Sequence, residues 1–151
     1  MSRGVDAIMK WPLVYRTWMA THGAQKFGPI MAHNDIHKVR RVLDVGCGPG
    51  TNAAQFAGMD YLGIDQNERY ISQARRRFGE RFAVGDVTRL DVPTDQRYDF
   101  ILVNSLLHHI DLPSTRGLLE RCCGVRSSGK RNVSIALMSY GRYIRSYSAI
   151  F

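Results

Sequence analysis

Acidic residues are missing from the whole stretch after Glu120, and this gap accounts for most of a formal net charge of +8. Arg121, Arg126, Lys130, Arg131, Arg142 and Arg145 all fall there with no acid to offset them. A basic excess confined to one end is weaker evidence for nucleic acid than a basic stripe carrying a recognition motif. Neither an RNA-recognition signature nor a zinc finger is present, so nucleic acid is an open but unfavoured partner. Cysteine is scarce too. There are three, an odd number that cannot form a disulfide framework. Cys122 and Cys123 are adjacent, Cys47 lies in a glycine-rich run, and no pair has zinc-site spacing. No metal is expected, and reduced thiols suit the cytoplasm. Long apolar runs are absent as well. Nothing approaches the roughly 20 residues that span a membrane. Near the N-terminus, Lys10, Arg16, His22 and Lys26 interrupt the apolar residues, so no signal-peptide core is expected.

What is present is a regular alternation. The chain's 151 residues fit one domain. Residues 5 to 37 read as two short, aromatic-rich helices carrying Trp11, Tyr15, Trp18, Phe27 and Ile30, interrupted at Gly23 and Gly28-Pro29. From residue 38 the pattern changes. Strands are expected at 39–45, 61–64, 82–84, 100–103 and 133–138, and helices at 51–57, 67–78 and 114–123. The 67–78 helix carries the clearest signals: Asn67 as its N-cap, Arg75, Arg76 and Arg77 in its last turn, and Gly79 as its stop. Such alternation gives a Rossmann-like α/β fold, a three-layer αβα sandwich with a mostly parallel sheet. Ligands then bind at the carboxyl edge, where the strand order reverses. Residues 1–37 are read as an N-terminal helical lid and 38–151 as the binding domain.

The first strand runs into Gly46-Cys47-Gly48-Pro49-Gly50. Glycines here allow backbone angles closed to other residues and let the main chain approach a ligand. A helix start following them would attract an anion. A dinucleotide fingerprint needs glycines at the first, third and sixth positions, but the sixth is Thr51. A P-loop would end in Gly-Lys-Ser/Thr, and this run does not. Partners narrow the reading. Asp65 lies nineteen residues after Gly46, near the offset at which an acid receives ribose hydroxyls. Asp86 follows the third strand and suits an exocyclic amine, with Val87 placed to pack on the ring. Asn104 and Ser105 end the fourth strand at the same edge. Asp44 either braces the loop or touches the ligand, and Asn52 either caps or lines it.

The ordered set Leu43-Asp44-Val45-Gly46-Cys47-Gly48-Pro49-Gly50, Gly63-Ile64-Asp65, Gly85-Asp86-Val87 and Tyr98-Asp99-Phe100-Ile101-Leu102-Val103-Asn104 resembles motifs I to IV of the class I S-adenosylmethionine-dependent methyltransferases. Leu106-Leu107-His108-His109-Ile110 resembles the segment after the fourth strand in many small-molecule members. The resemblance covers about residues 38 to 138. It implies that Gly46, Cys47 and Gly48 contact the methionine part of S-adenosylmethionine, with Gly50 also at the cofactor and S-adenosylhomocysteine as product. It also implies Asp65 and Gln66 at the ribose, and Asp86 with Val87 at the adenine. His109, then His108, are the candidate general bases for in-line methyl transfer; the competing reading makes them packing residues. The run Asn104-Ser105-Leu106-Leu107 lacks the Asn/Asp-Pro-Pro-aromatic signature of amino-group methylases of adenine or glutamine, which favours a small-molecule acceptor. The family's sheet has seven strands, and residues 139–151 are too few for a helix and two strands. A sheet shortened at its end is therefore expected, with a homodimer completing the open edge. The alternatives are a truncated, non-catalytic S-adenosylmethionine-binding or interaction protein and, third, an RNA methyltransferase.

Overall fold

The computed structural model describes residues 34–89, 98–104, 106–124, 133–139 and 142–149, together with helical positions 28, 30 and 32. The rest of the expected lid, with Trp11, Tyr15, Trp18 and Lys26, lies outside the described residues.

Six strands form one sheet: β1 (Arg41–Val45), β2 (Asp60–Asp65), β3 (Phe82–Val84), β4 (Phe100–Asn104), β5 (Val133–Ser139) and β6 (Arg142–Ala149). Their order is β3-β2-β1-β4-β5-β6. The first five run parallel, and β6 pairs antiparallel to β5. The chain steps outward from β1 to β3, then returns to place β4 on the other flank of β1. That reversal opens a crevice between the ends of β1 and β4.

Strand composition follows burial. Val42, Leu43, Asp44 and Val45 are all buried on β1, as are Phe100 through Val103 on β4. Such runs suit parallel strands covered on both faces. One face packs Val42, Tyr61, Phe100 and Leu102 against Phe56 and against Ile71 and Ala74 of helix α1 (Glu68–Phe78). The other packs Leu43, Val45, Ile64, Ile101 and Val103 against Leu118 and Cys122 of helix α2 (Leu112–Gly124). Each cluster closes one of the two outer layers.

Helix α1 begins and ends where its sequence signals place it. The Asn67 side chain accepts from the Arg69 and Tyr70 N–H groups, and Gly79, at φ +85°, ends the helix. Helix α2 starts two residues earlier than expected. The Asp111 carboxylate accepts from Ser114 N–H at 2.8 Å, and Pro113 fits the first turn without a missing hydrogen bond.

Two expectations change. The helix expected at 51–57 is a turn and a single 3-10 helix, Ala53–Phe56. The Asn52 side chain bonds to Asp44 rather than capping a helix, and Ala57 turns extended at ψ 133°, so a single turn forms. Its backbone bonds run from residue i to i+3, among them Ala53 N–H to Gly50 C=O and Gln55 N–H to Asn52 C=O. The sheet also does not stop at its fifth strand. Arg142–Ala149 turns back along β5, with Ser139 opposite Arg142 and Val133 opposite Ala149. Tyr143, Ile144 and Tyr147 suit a strand. Among the described residues the sheet thus has six strands.

Asn67→Ala should remove the α1 cap and lower stability by about 1 kcal/mol. Urea unfolding checks this as a lower midpoint with unchanged slope.

Candidate functional site

The glycine loop leaves β1 at the crevice. Gly46, Gly48 and Gly50 have φ of +74°, +55° and +77°. Only at Gly48 does a side chain have open space; a Cβ at Gly46 would press on Leu106, and one at Gly50 on Phe82 and Ala74. The loop thus presents Gly48 outward and packs its two flanking glycines. Gly46 N–H and Cys47 N–H both donate to the Ile64 carbonyl, at 2.8 and 3.0 Å, pinning the loop to β2. Gly63 is small for a related reason. A Cβ there would sit 2.7 Å from Phe82 and 2.9 Å from Cys47 Sγ.

Asp65, at the end of β2, bridges the loop and α1. Its Oδ2 accepts from Gly48 N–H at 2.9 Å and its Oδ1 from Asn67 N–H at 2.8 Å. Each oxygen keeps a second lone pair, so the carboxylate can still receive a pair of hydroxyls. Gln66 beside it is exposed. Asp86 follows β3. Its Oδ1 accepts from Thr88 N–H at 2.8 Å and the Thr88 hydroxyl at 2.6 Å. These bonds, with Arg89 nearby, hold its pKa below the usual carboxylate value. Val87 is only 3% exposed and packs in the core with Ile64 and Tyr98. Little of its side chain is left for a ring, so its main chain is the part the crevice can use. Arg121 of α2 donates to the Thr88 carbonyl, tying this loop to the outer helix.

Beneath the glycine loop lies a buried polar network. Asp44 is fully buried on β1, opposite Gly63 and Leu102. Its Oδ2 accepts from the Tyr61 hydroxyl at 2.6 Å and from Asn52 Nδ2 at 3.0 Å. Asn52 Oδ1 in turn accepts from Asn104 Nδ2 at 3.2 Å. Asp44 Oδ1 is buried with no hydrogen-bond partner. Burial raises the Asp44 pKa to about 6, against the lowering effect of the Tyr61 and Asn52 bonds. Burial, then the Asp44 and Asp65 charges, push the Cys47 thiol well above its ordinary value. A protonated thiol is a poor nucleophile, so Cys47 contributes backbone and bulk.

The segment after β4 closes the other side. Leu106 packs on Gly46, and Leu107–His109 forms a 3-10 helix at the same edge. His109 is exposed there. The His108 side chain and the whole of Ser105 lie outside the described residues. The structure therefore brings Asp44, Asn52, Asn104, the three glycines and Asp65 together, with Asp86 on the next strand end and His109 in the turn after β4. Tyr61, read from sequence only as a strand residue, is the missed member. A carboxylate at a buried strand position signals that some donor must reach it. Among the described residues, no cluster of three or more His, Cys, Asp or Glu side chains could hold a metal, and no helix is long and apolar enough to cross a membrane.

Residues 42–129 match the family model described as a methyltransferase domain. The chain is 29% identical to a trans-aconitate 2-methyltransferase of Variovorax paradoxus, covering 81% of this chain and 48% of that protein. It is 31% identical to one from Mycolicibacterium gilvum, covering 78% and 46% respectively. The chain thus spans about half the length of these curated relatives. Its fold resembles an O-methyltransferase from a polyketide synthase of Brevibacillus brevis, solved with S-adenosyl-L-homocysteine. The TM-score is 0.65 at 22% identity, covering 91% of this chain and 47% of that one.

Two glycine substitutions separate packing from backbone strain. Gly63→Ala should cost about 1–3 kcal/mol through overpacking. Gly48→Ala should cost about 1–2 kcal/mol through its left-handed φ alone. Adding Phe82→Leu should recover part of the first loss and none of the second in urea unfolding.

Proposed function

The chain belongs to the methyltransferase domain family, and from that premise we propose that it transfers a methyl group from S-adenosylmethionine to a small-molecule acceptor. The observation that carries this reading is the set of groups along one sheet edge: an outward-facing Gly48, Asp65 and Asp86 closing β2 and β3, and the buried Asp44 beneath. These residues fit the donor. Asp65 has lone pairs left for a ribose diol, with Gln66 beside it. The Asp86 carboxylate, ionised and part-exposed, accepts from an adenine amine. The open face of Gly48 admits the amino-acid portion, and the unpartnered Oδ1 of Asp44 suits its ammonium. NAD fits less well, because the glycine expected at the sixth position is Thr51.

The bound donor supplies a sulfonium methyl, an electrophile that needs alignment more than activation. The acceptor's electron pair forms the new bond to carbon while the carbon–sulfur pair stays with sulfur. The chain's part is to orient, to exclude water and to take the acceptor proton. Leu106 packs against Gly46 and the Leu107–His109 turn follows it after β4, which supports His109 as the proposed base and His108 as the second candidate. Residues 1–37 are proposed as the lid. The positive charge of the chain suits an anionic acceptor. A second copy pairing at the β6 edge and a cytoplasmic location complete the proposal.

A thermal-shift titration tests the donor. S-Adenosylhomocysteine at about 100 times its dissociation constant should add roughly 2.7 kcal/mol of stability. No shift, or a larger one with NAD, overturns the assignment. A shift without methylated product from an acceptor panel that includes trans-aconitate would favour the binding-only alternative. His109→Ala should lower kcat roughly 100-fold, in the range of general-base catalysis, with donor affinity nearly unchanged. Equal turnover would remove His109 from the mechanism.

A further inference from the structure

Tyr61 has no place in the donor site as read from sequence, yet its hydroxyl makes the shortest contact to Asp44. The ring is 2% exposed. It stacks on Phe56 at 5.9 Å and meets the edge of Phe82 at 5.6 Å. Those contacts fix where the hydroxyl points. It donates to Asp44 Oδ2 at 2.6 Å, and Asn52 Nδ2 donates to the same atom at 3.0 Å. Asn52 is itself held by Asn104 at 3.2 Å. Both donors therefore act on one oxygen, although two were within the carboxylate's capacity. The other, Oδ1, is buried without a partner, two residues before Gly46.

We propose that Tyr61 and Asn52 are positioning residues for the donor: they hold Asp44 by one oxygen and so keep the other for the cationic amino group of the donor's amino-acid portion. This rests on the S-adenosylmethionine reading above. The charged and titratable groups around Asp44 are Asp65 at the end of β2, Cys47 in the loop and Tyr61 on β2, with Arg81 ahead of β3 acting on Tyr61. Asp65 and burial both favour the protonated form of Asp44, and only the Tyr61 and Asn52 bonds favour the carboxylate. A neutral Asp44 would offer the ammonium far less. The two bonds thus set both the direction of the free oxygen and its charge near neutral pH.

Calorimetric binding of S-adenosylhomocysteine to this chain, from pH 5 to pH 8, tests this. Wild-type affinity should rise with pH around a midpoint near 6, where Asp44 ionises. In Tyr61→Phe that midpoint should move up by roughly one unit, and affinity at pH 6 should fall roughly fivefold. A purely structural Tyr61 would lower the melting temperature and leave the midpoint unmoved, and that result overturns the inference. Asn52→Ala should act in the same direction and serves if Tyr61→Phe does not fold. Wild-type affinity that stays flat across this range overturns the inference without any variant. A wild-type chain that binds no S-adenosylhomocysteine at any pH overturns the donor assignment itself, and this inference with it.

Discussion

A carboxylate buried in the centre of a parallel sheet is the constraint around which the crevice is organised. Asp44 occupies a β1 position where its neighbours are Val42, Leu43 and Val45. Burying a charge there is costly unless hydrogen bonds compensate. The surrounding residues supply them. Tyr61 reaches across from β2, Asn52 comes down from the turn after the loop, and Asn104 steadies Asn52 from β4. Three strands and the loop are therefore tied to one side chain. This ties the loop's position to the sheet rather than to the short 3-10 helix that follows, whose single turn could add little stiffness.

The loop itself is fixed by a second set of bonds. The Ile64 carbonyl takes two loop N–H groups, and Asp65 takes a third while also holding the start of α1. These bonds share β2 as their anchor. A fixed main chain is what a ligand-binding loop needs, because main-chain groups can then meet a ligand without an ordering cost. Glycine is required at its three positions for different reasons. Two are packed against Leu106 and Phe82, while the third, Gly48, faces open space. One backbone conformation thus serves both packing and access.

The acceptor side is built differently. Its residues come from the segment after β4, where His109 is exposed and Leu106 leans on the loop. Leu106 lies against Gly46, so a change in its bulk is felt by the loop directly. Arg121 links the Asp86 turn to α2 in a comparable way. The donor side rests mainly on buried bonds and the acceptor side on exposed residues.

Much of this was legible in the sequence. Strand–helix alternation gave the sheet and its layers, because parallel strands need apolar runs and crossover helices. Asn67, the arginines and Gly79 marked α1, since capping is a local matter of a few residues. Gly46, Gly48 and Gly50 marked the loop, and Asp65 and Asp86 fell at the ends of their strands because spacing along a βα unit is nearly fixed. Other features depended on contacts between distant residues. The 51–57 segment became a 3-10 turn because the Asn52 side chain is taken by Asp44 and Ala57 turns extended. Residues 142–149 became a strand because β5 offered a free edge to pair with. Val87 turned inward to pack with Ile64 and Tyr98 in the core. Tyr61 joined the site through the parallel pairing of β1 with β2, a register that no local pattern along either strand encodes. Sequence determined which elements form and which residues close them; only the tertiary structure decided which side chains meet across strands, because that is set by register and packing together.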